Sequence, residues 1–185
     1  MKYFLKILIV FTIIGTFGNK TFSQTTNDSI PNLKDKLFFG GDFGLSFGAV
    51  TYIELSPAIG YRLTDKLSAG VGVIYKYISS KNYYSTYSFS TSIYGGKMFA
   101  NYMVTNNFFP HVEFEVLSLE HKYFDFLGNY PDDGRYLYES LFVGAGYRYP
   151  IGKNSYITTV LLYNINHSSN SFYPSPYVWR LGFNF

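Results

Sequence analysis

The sequence predicts an all-β fold, an eight-stranded antiparallel up-and-down transmembrane β-barrel. Three observations predict it. From Leu37 onward the chain alternates apolar and polar residues in eight segments, and a period of two is that of a strand. The connections between the segments alternate between short and long, as in barrels that cross a membrane. The polar faces are crowded with glycine and carry charges of both signs, which suits a narrow closed lumen better than a face open to water.

The 185 residues give room for one barrel, at 37–185, behind two N-terminal pieces. With 20 Tyr, 19 Phe and 17 Gly but only 15% charged residues, the composition favours aromatic β-surfaces. Mean hydropathy is close to zero, which excludes a bundle of apolar helices and suits strands that are apolar on one face only. Residues 1–23 read as a secretory signal: Lys2 and Lys6 lead, Ile7 to Ile14 is the apolar core, and Thr21 and Ser23 favour cleavage near Ser23. The apolar run is too short for a membrane anchor, which needs about 20 residues. Polar residues 24–36 (QTTNDSIPNLKDK) form a short periplasmic leader. The formal charge of +3 comes from Lys2, Lys6 and Lys20 of the signal, so the mature chain is neutral and nucleic-acid binding through a basic surface is not expected. The absence of cysteine excludes disulfides, thiolate metal sites, a cysteine nucleophile and N-terminal lipidation.

The first strand, about 37–48, sets Phe39, Phe43, Leu45 and Phe47 against Gly40, Asp42, Gly44 and Ser46. The second, about 51–63, sets Ile53, Leu55, Ile59 and Tyr61 against Glu54, Gly60 and Arg62; Pro57 lacks a ladder donor and marks a bulge or a weakly paired spot. The third, about 67–78, sets Val71, Val73, Tyr75 and Tyr77 against Gly70, Gly72 and Lys76, and the fourth, about 89–104, sets Met98 and Tyr102 against Lys97 and Asn101. The fifth, about 108–121, sets Phe108, Val112, Phe114 and Val116 against His111, Glu113 and Glu115. The sixth, about 136–149, sets Leu141, Val143, Tyr147 and Tyr149 against Ser140, Gly144, Gly146 and Arg148. The seventh, about 155–167, sets Ile157, Leu161, Tyr163 and Ile165 against Thr158, Asn164 and Asn166. The last, Tyr177 to Phe185, sets Tyr177, Trp179, Leu181, Phe183 and Phe185 against Val178, Arg180, Gly182 and Asn184, and zips the sheet shut. Short turns are expected at 64–66, 105–107 and 150–154, and longer loops at 79–88, 123–135 and 168–176; only the connection near Gly48 to Thr51 departs from the alternation.

The apolar face is expected to meet lipid, with Tyr61, Tyr75, Tyr77, Tyr147, Tyr149 and Tyr177 at its borders as an interfacial girdle. The other face is expected to form a lumen network of Asp42, Glu54, Arg62, Lys76, Lys97, His111, Glu113, Glu115, Arg148 and Arg180, since opposite charges confined in a tube must pair.

Phe39-Gly40-Gly41-Asp42-Phe43-Gly44, Tyr61 to Leu67, Val143 to Arg148 and the aromatic C-terminal strand resemble the small outer-membrane β-barrels common in Bacteroidota, relatives of porin-like and OmpA-like eight-stranded barrels. The resemblance implies an envelope protein with no set activity. It also implies that Phe183 and Phe185 form an assembly signal read by the barrel-assembly machinery, although the accompanying glycine stands at Gly182 rather than nearer Arg180.

Four patterns bear on chemistry. Gly44-Leu45-Ser46-Phe47-Gly48 fits G-x-S-x-G but lies inside a strand with no helix behind it, so it is not a nucleophile elbow. His111, Glu113 and Glu115 share one face and are read as part of the lumen network rather than as metal ligands; no metal or cofactor is expected. Asp125, Asp132 and Asp133 lie in ordinary turn chemistry. His167-Ser168-Ser169-Asn170 resembles the His-x-Ser-Asn motif of outer-membrane lipid A 3-O-deacylases. That resemblance implies His167 activating Ser169, and folding strands six and seven about Gly152 sets Glu139 across from about Asn166, on the outward parity of His167, where it would orient the histidine; against this, the family's acid follows its motif and none follows Ser169 here. The outer loops carry Tyr83, Tyr84, Tyr87, Phe124, Phe126, Tyr130, Phe172 and Tyr173, which suit a glycan or protein partner or pack on one another. The leading expectation is therefore a barrel in outer-membrane lipid with an envelope-structural or surface-interaction role; the alternative is an acyl ester hydrolase at the outer-leaflet rim.

Overall fold

Eight strands close into one antiparallel barrel in which each strand pairs with its neighbours in sequence and the last returns to the first. They are β1 (Leu37–Ser46), β2 (Val50–Arg62), β3 (Leu67–Ser80), β4 (Phe89–Tyr102), β5 (Phe108–Glu120), β6 (Arg135–Pro150), β7 (Tyr156–Asn164) and β8 (Tyr177–Asn184). This computed structural model describes residues 36–46, 50–80, 89–124, 134–168 and 171–185. Contacts divide the chain at Pro31 and Asn32, and every described residue belongs to the second unit. The signal and nearly all of the leader expected from the sequence lie outside the described residues, as do Tyr83, Tyr84, Tyr87, Asp125, Phe126, Tyr130, Asp132, Asp133 and Ser169.

Alternation sets which residues face out. Leu55, Val71, Val73, Met98 and Leu161 stand exposed along the middle of the wall. Phe39, Tyr102, Phe108, Tyr147, Tyr149, Phe183 and Phe185 ring the end that carries the short turns, while Tyr75, Tyr94, Tyr163, Tyr177 and Trp179 lie toward the long loops. Two short turns share one design. Thr64 Oγ1 accepts from the backbone N–H of Lys66 and Leu67, and Thr105 Oγ1 accepts from those of Asn107 and Phe108, so each hydroxyl supplies the acceptor that a reversing backbone lacks.

Three inward glycines accept aromatic rings from the neighbouring strand: Phe38 lies over Gly60, Phe99 over Gly70 and Phe109 over Gly146, where a Cβ would overlap the ring. The lumen is thus packed with rings as well as charges, and glycine on the polar face makes the space for them. Pro57 behaves as its missing donor dictates: the β2–β3 ladder runs to Leu55↔Tyr75 and resumes at Ala58↔Gly72. Opposite it, Gly41 adopts a φ of +156°, and a Cβ there would run into the Ser56 carbonyl.

The closing seam is short. β8 pairs with β7 over Tyr156↔Asn184 to Tyr163↔Tyr177, but with β1 only over Gly40↔Asn184 to Phe43↔Leu181. Phe39 and Phe185 extend it by exchanging backbone hydrogen bonds of 3.0 and 2.8 Å.

The seventh strand stops at Asn164, short of the boundary near 167 that alternation gives. Two asparagines end it. Asn166 turns its amide onto the open edge of β6, accepting from the Leu141 N–H (2.8 Å) and donating to the Glu139 carbonyl (2.8 Å), as a further strand residue would. Asn164 Oδ1 accepts from the Asn166 N–H, bending the chain at 165–166. The bend carries the next aromatics, Phe172 and Tyr173, inward.

Candidate functional site

The middle of the lumen is a buried ionic cluster. Strand parity turns Asp42, Glu54, Lys76, Lys97, His111, Glu113, Glu115 and Arg180 inward from six of the eight strands, and closure brings them together. Arg180 lies 2.9 Å from Glu115 and 2.7 Å from Glu113, the latter contact not aligned as a hydrogen bond. Lys97 pairs with Asp42 and lies 3.3 Å from Glu113. The Lys76 amine, with no exposed surface, stands 3.5 Å from Glu115 and 3.7 Å from Glu54. Glu54 also accepts from the Tyr52 hydroxyl. His111 bonds Asn101 Oδ1 through Nδ1 (2.5 Å), and its Nε2 lies 3.6 Å from Glu113. Four carboxylates therefore share three cations, with His111 beside the acid that Lys97 and Arg180 both reach. Burying such groups is tolerable only when they pair, and removing one member leaves the others uncompensated.

The residues after β7 cap this cluster. Tyr173 is buried, its hydroxyl accepting from Lys76 (2.6 Å) and donating to Glu115 (2.5 Å). Its ring meets Phe142 edge-on at 5.3 Å and lies 4.8 Å from the Lys76 amine, while Phe172 packs edge-on against Phe124 and Tyr138. Ile74, Ile93, Leu117 and Leu119 complete an apolar layer around Phe172. Tyr173 belongs to the connection and not to a strand. Burial first, then the Glu115 carboxylate, hold its hydroxyl well above the usual tyrosine range, so it remains a donor. Phe172 and Tyr173, expected as outer-loop rings, are thus directed into the barrel; parity ends with the strand and carries no signal for a connection beyond it.

Arg62 and Arg148, expected in the lumen network, lie apart from this cluster. Both point inward but close to the ends of their strands at the short-turn mouth. Arg148 is two inward positions beyond Gly144, the partner of His111. Its Nε donates to the Asn106 carbonyl (2.8 Å) and its guanidinium lies 4.6 Å over the Tyr156 ring. Glu113 and Glu115 are instead met by Lys76, Lys97 and Arg180.

At the other rim His167 is half-buried and its Nε2 donates to the Tyr173 carbonyl (3.0 Å), which ties the histidine to the inward fold of its own connection. Glu139 lies on the outer face, exposed, and Ser169 lies outside the described residues. Phe183 and Phe185 face outward, with Phe183 stacked on Phe43 at 5.2 Å.

Sequence reasoning passes over two further polar residues. Tyr52 shares its parity with Glu54, a signal that is present in the chain. Arg135 gives none. The β4–β5 ladder stops at Tyr94↔Ser118 although both strands continue, and the Arg135 guanidinium spans the gap, bonding the Ser92 and Ser118 carbonyls (2.8 and 2.6 Å) and Glu120 (3.0 Å).

No protein-family model and no curated protein sequence matches the chain. Among solved structures, the chain is similar to the N-terminal β-barrel domain of Pseudomonas aeruginosa OprF, at 16% identity over 81% of this chain and 96% of that one, with a TM-score of 0.46. It is also similar to a de novo designed transmembrane β-barrel, at 13% identity over 81% and 93% of the two chains, with a TM-score of 0.39. The barrel architecture rests on the strand pairing itself.

Proposed function

We propose that this protein is an outer-membrane β-barrel that is not an open pore and serves the envelope structurally or through its outer loops. The observation that carries this reading is the wall: apolar along its middle and bordered by aromatic rings toward both ends. Water does not support an apolar surface that encircles a molecule, whereas a bilayer requires one. Tyrosine and tryptophan at two levels suit the headgroup regions. The buried ion pairs and the Phe172–Tyr173 cap support a filled lumen. Phe183 and Phe185, outward on the closing strand, serve in this reading as the signal for the assembly machinery.

Fractionation of a Gram-negative host expressing the full chain tests the location. The expected result is heat-modifiable protein in the outer-membrane fraction, and recovery as a soluble protein would refute it. In a planar bilayer the protein is expected to be electrically silent. The lipid A of the same cells is expected to keep its acyl chains. Loss of a 3-linked chain that Ser169→Ala prevents would replace this reading with ester hydrolysis at the rim by Ser169, His167 and Glu139.

A further inference from the structure

We propose that the short-turn mouth of the barrel is a binding site for a small soluble oxyanion carried on an apolar body, of the class of an aryl phosphate. A cavity of about 370 Å³ opens there, within the size range of small-ligand sites. Arg62, Lys66 and Arg148 line it, with Asp65 as the one acidic side chain. Among the described residues no carboxylate pairs with any of these three cations, whereas the inward cations deeper in the lumen, Lys76, Lys97 and Arg180, are each paired. Among the described residues the mouth therefore gathers three cations against the single acidic side chain of Asp65.

The arrangement is prepared for a ligand. Arg148 is fixed by the bond from its Nε to Asn106 and by the Tyr156 ring beneath it, and among the described residues nothing accepts from its terminal nitrogens. A guanidinium held flat with its fork free is suited to grip an oxyanion with two parallel bonds. By strand register Phe38 and Phe109 lie one inward position deeper than Arg62 and Arg148, so aromatic rings, flanked by the Asn101 and Asn184 side chains, stand behind the charge at the entrance. That polarity selects a ligand with an anionic head and an apolar body. The closed strand pairing leaves the cavity open only along the barrel axis, which favours a soluble ligand over a lipid headgroup arriving through the wall.

The test is calorimetric titration of the full protein, in nanodiscs of zwitterionic lipid at physiological salt, with phenyl phosphate. Saturable binding at one site is expected, with inorganic phosphate and benzyl alcohol each binding more weakly than the joined molecule. Arg62→Ala and Arg148→Ala should each weaken binding about tenfold, the scale of one charge-assisted pair. Lys153→Ala, in the exposed turn outside the cavity, should leave it unchanged. Asp65→Asn removes the opposing charge and should tighten binding, a gain that misfolding cannot produce. Absence of saturable binding, or equal affinity in Arg62→Ala, Arg148→Ala and Asp65→Asn, would overturn the proposal. Loss of phenyl phosphate binding when phosphatidylglycerol is placed in the nanodisc would overturn it in favour of a lipid headgroup.

Discussion

Glu115 is the residue on which the lumen converges, because Arg180, Lys76 and the Tyr173 hydroxyl all meet its carboxylate. Glu115→Ala removes the carboxylate that Lys76 and Arg180 share, leaving Lys76 with Glu54 and Arg180 with Glu113, and is expected to cost about 3 kcal/mol, read by denaturant unfolding in lipid vesicles. Tyr173→Phe keeps the ring against Phe142 and removes only the bridging hydroxyl, so a smaller loss of about 1–3 kcal/mol is expected in the same measurement. A Tyr173→Phe loss as large as that of Glu115→Ala would show that the cap, not the acid, holds the cluster. Glycines divide in a similar way. A Cβ at Gly144 would meet the Leu161 backbone, whereas one at Gly146 would meet the Phe109 ring. A ring can turn and a paired strand cannot, so Gly144→Ala should destabilise more than Gly146→Ala, by about 1–3 kcal/mol in total. Strand parity makes Glu115 and both glycines legible as inward residues. It says nothing of Tyr173, which lies beyond the end of its strand.

At the scale of the element, side chains finish what the backbone leaves open. Asn166 continues the β6 edge with its amide after β7 has ended, and Arg135 spans β4 and β5 above their last pair. Asn166→Ala removes two hydrogen bonds to β6 and is expected to cost about 1–3 kcal/mol. Amide exchange at Leu141 should quicken, because its donor then has no acceptor. Unchanged protection at Leu141 would show that the bend at 165–166 holds by itself. The end of β7 is hidden from the sequence for the same reason. Ile165 and Asn166 keep the alternation of a strand, and only the position of the neighbouring edge decides whether an asparagine pairs through its backbone or through its side chain.

For the whole molecule, the environment of the wall sets the energetics. Val73 is 64% exposed near the middle of β3, and Leu137 is 70% exposed near the long-loop end of β6. In a bilayer Val73→Arg is expected to cost about 2–4 kcal/mol and Leu137→Arg about 0–1 kcal/mol, because the cost of a charge falls with distance from the midplane. Equal costs would mean that both positions meet water. Double substitution of Phe172 and Tyr173 by Ala opens the cap and is expected to produce intermittent conductance in a planar bilayer where the native protein is silent. The number of strands, their order and the inward side of each are written along the chain, since a period of two and the residues of tight turns are properties of neighbours in sequence. Closure of the barrel settles which inward charges share a partner, that Arg62 and Arg148 stand at the mouth instead, and that Phe172 and Tyr173 enter the lumen. Those outcomes depend on how far each strand is displaced along its neighbour and on where a connection turns once its pairing ends, and residue spacing within one strand carries no record of either.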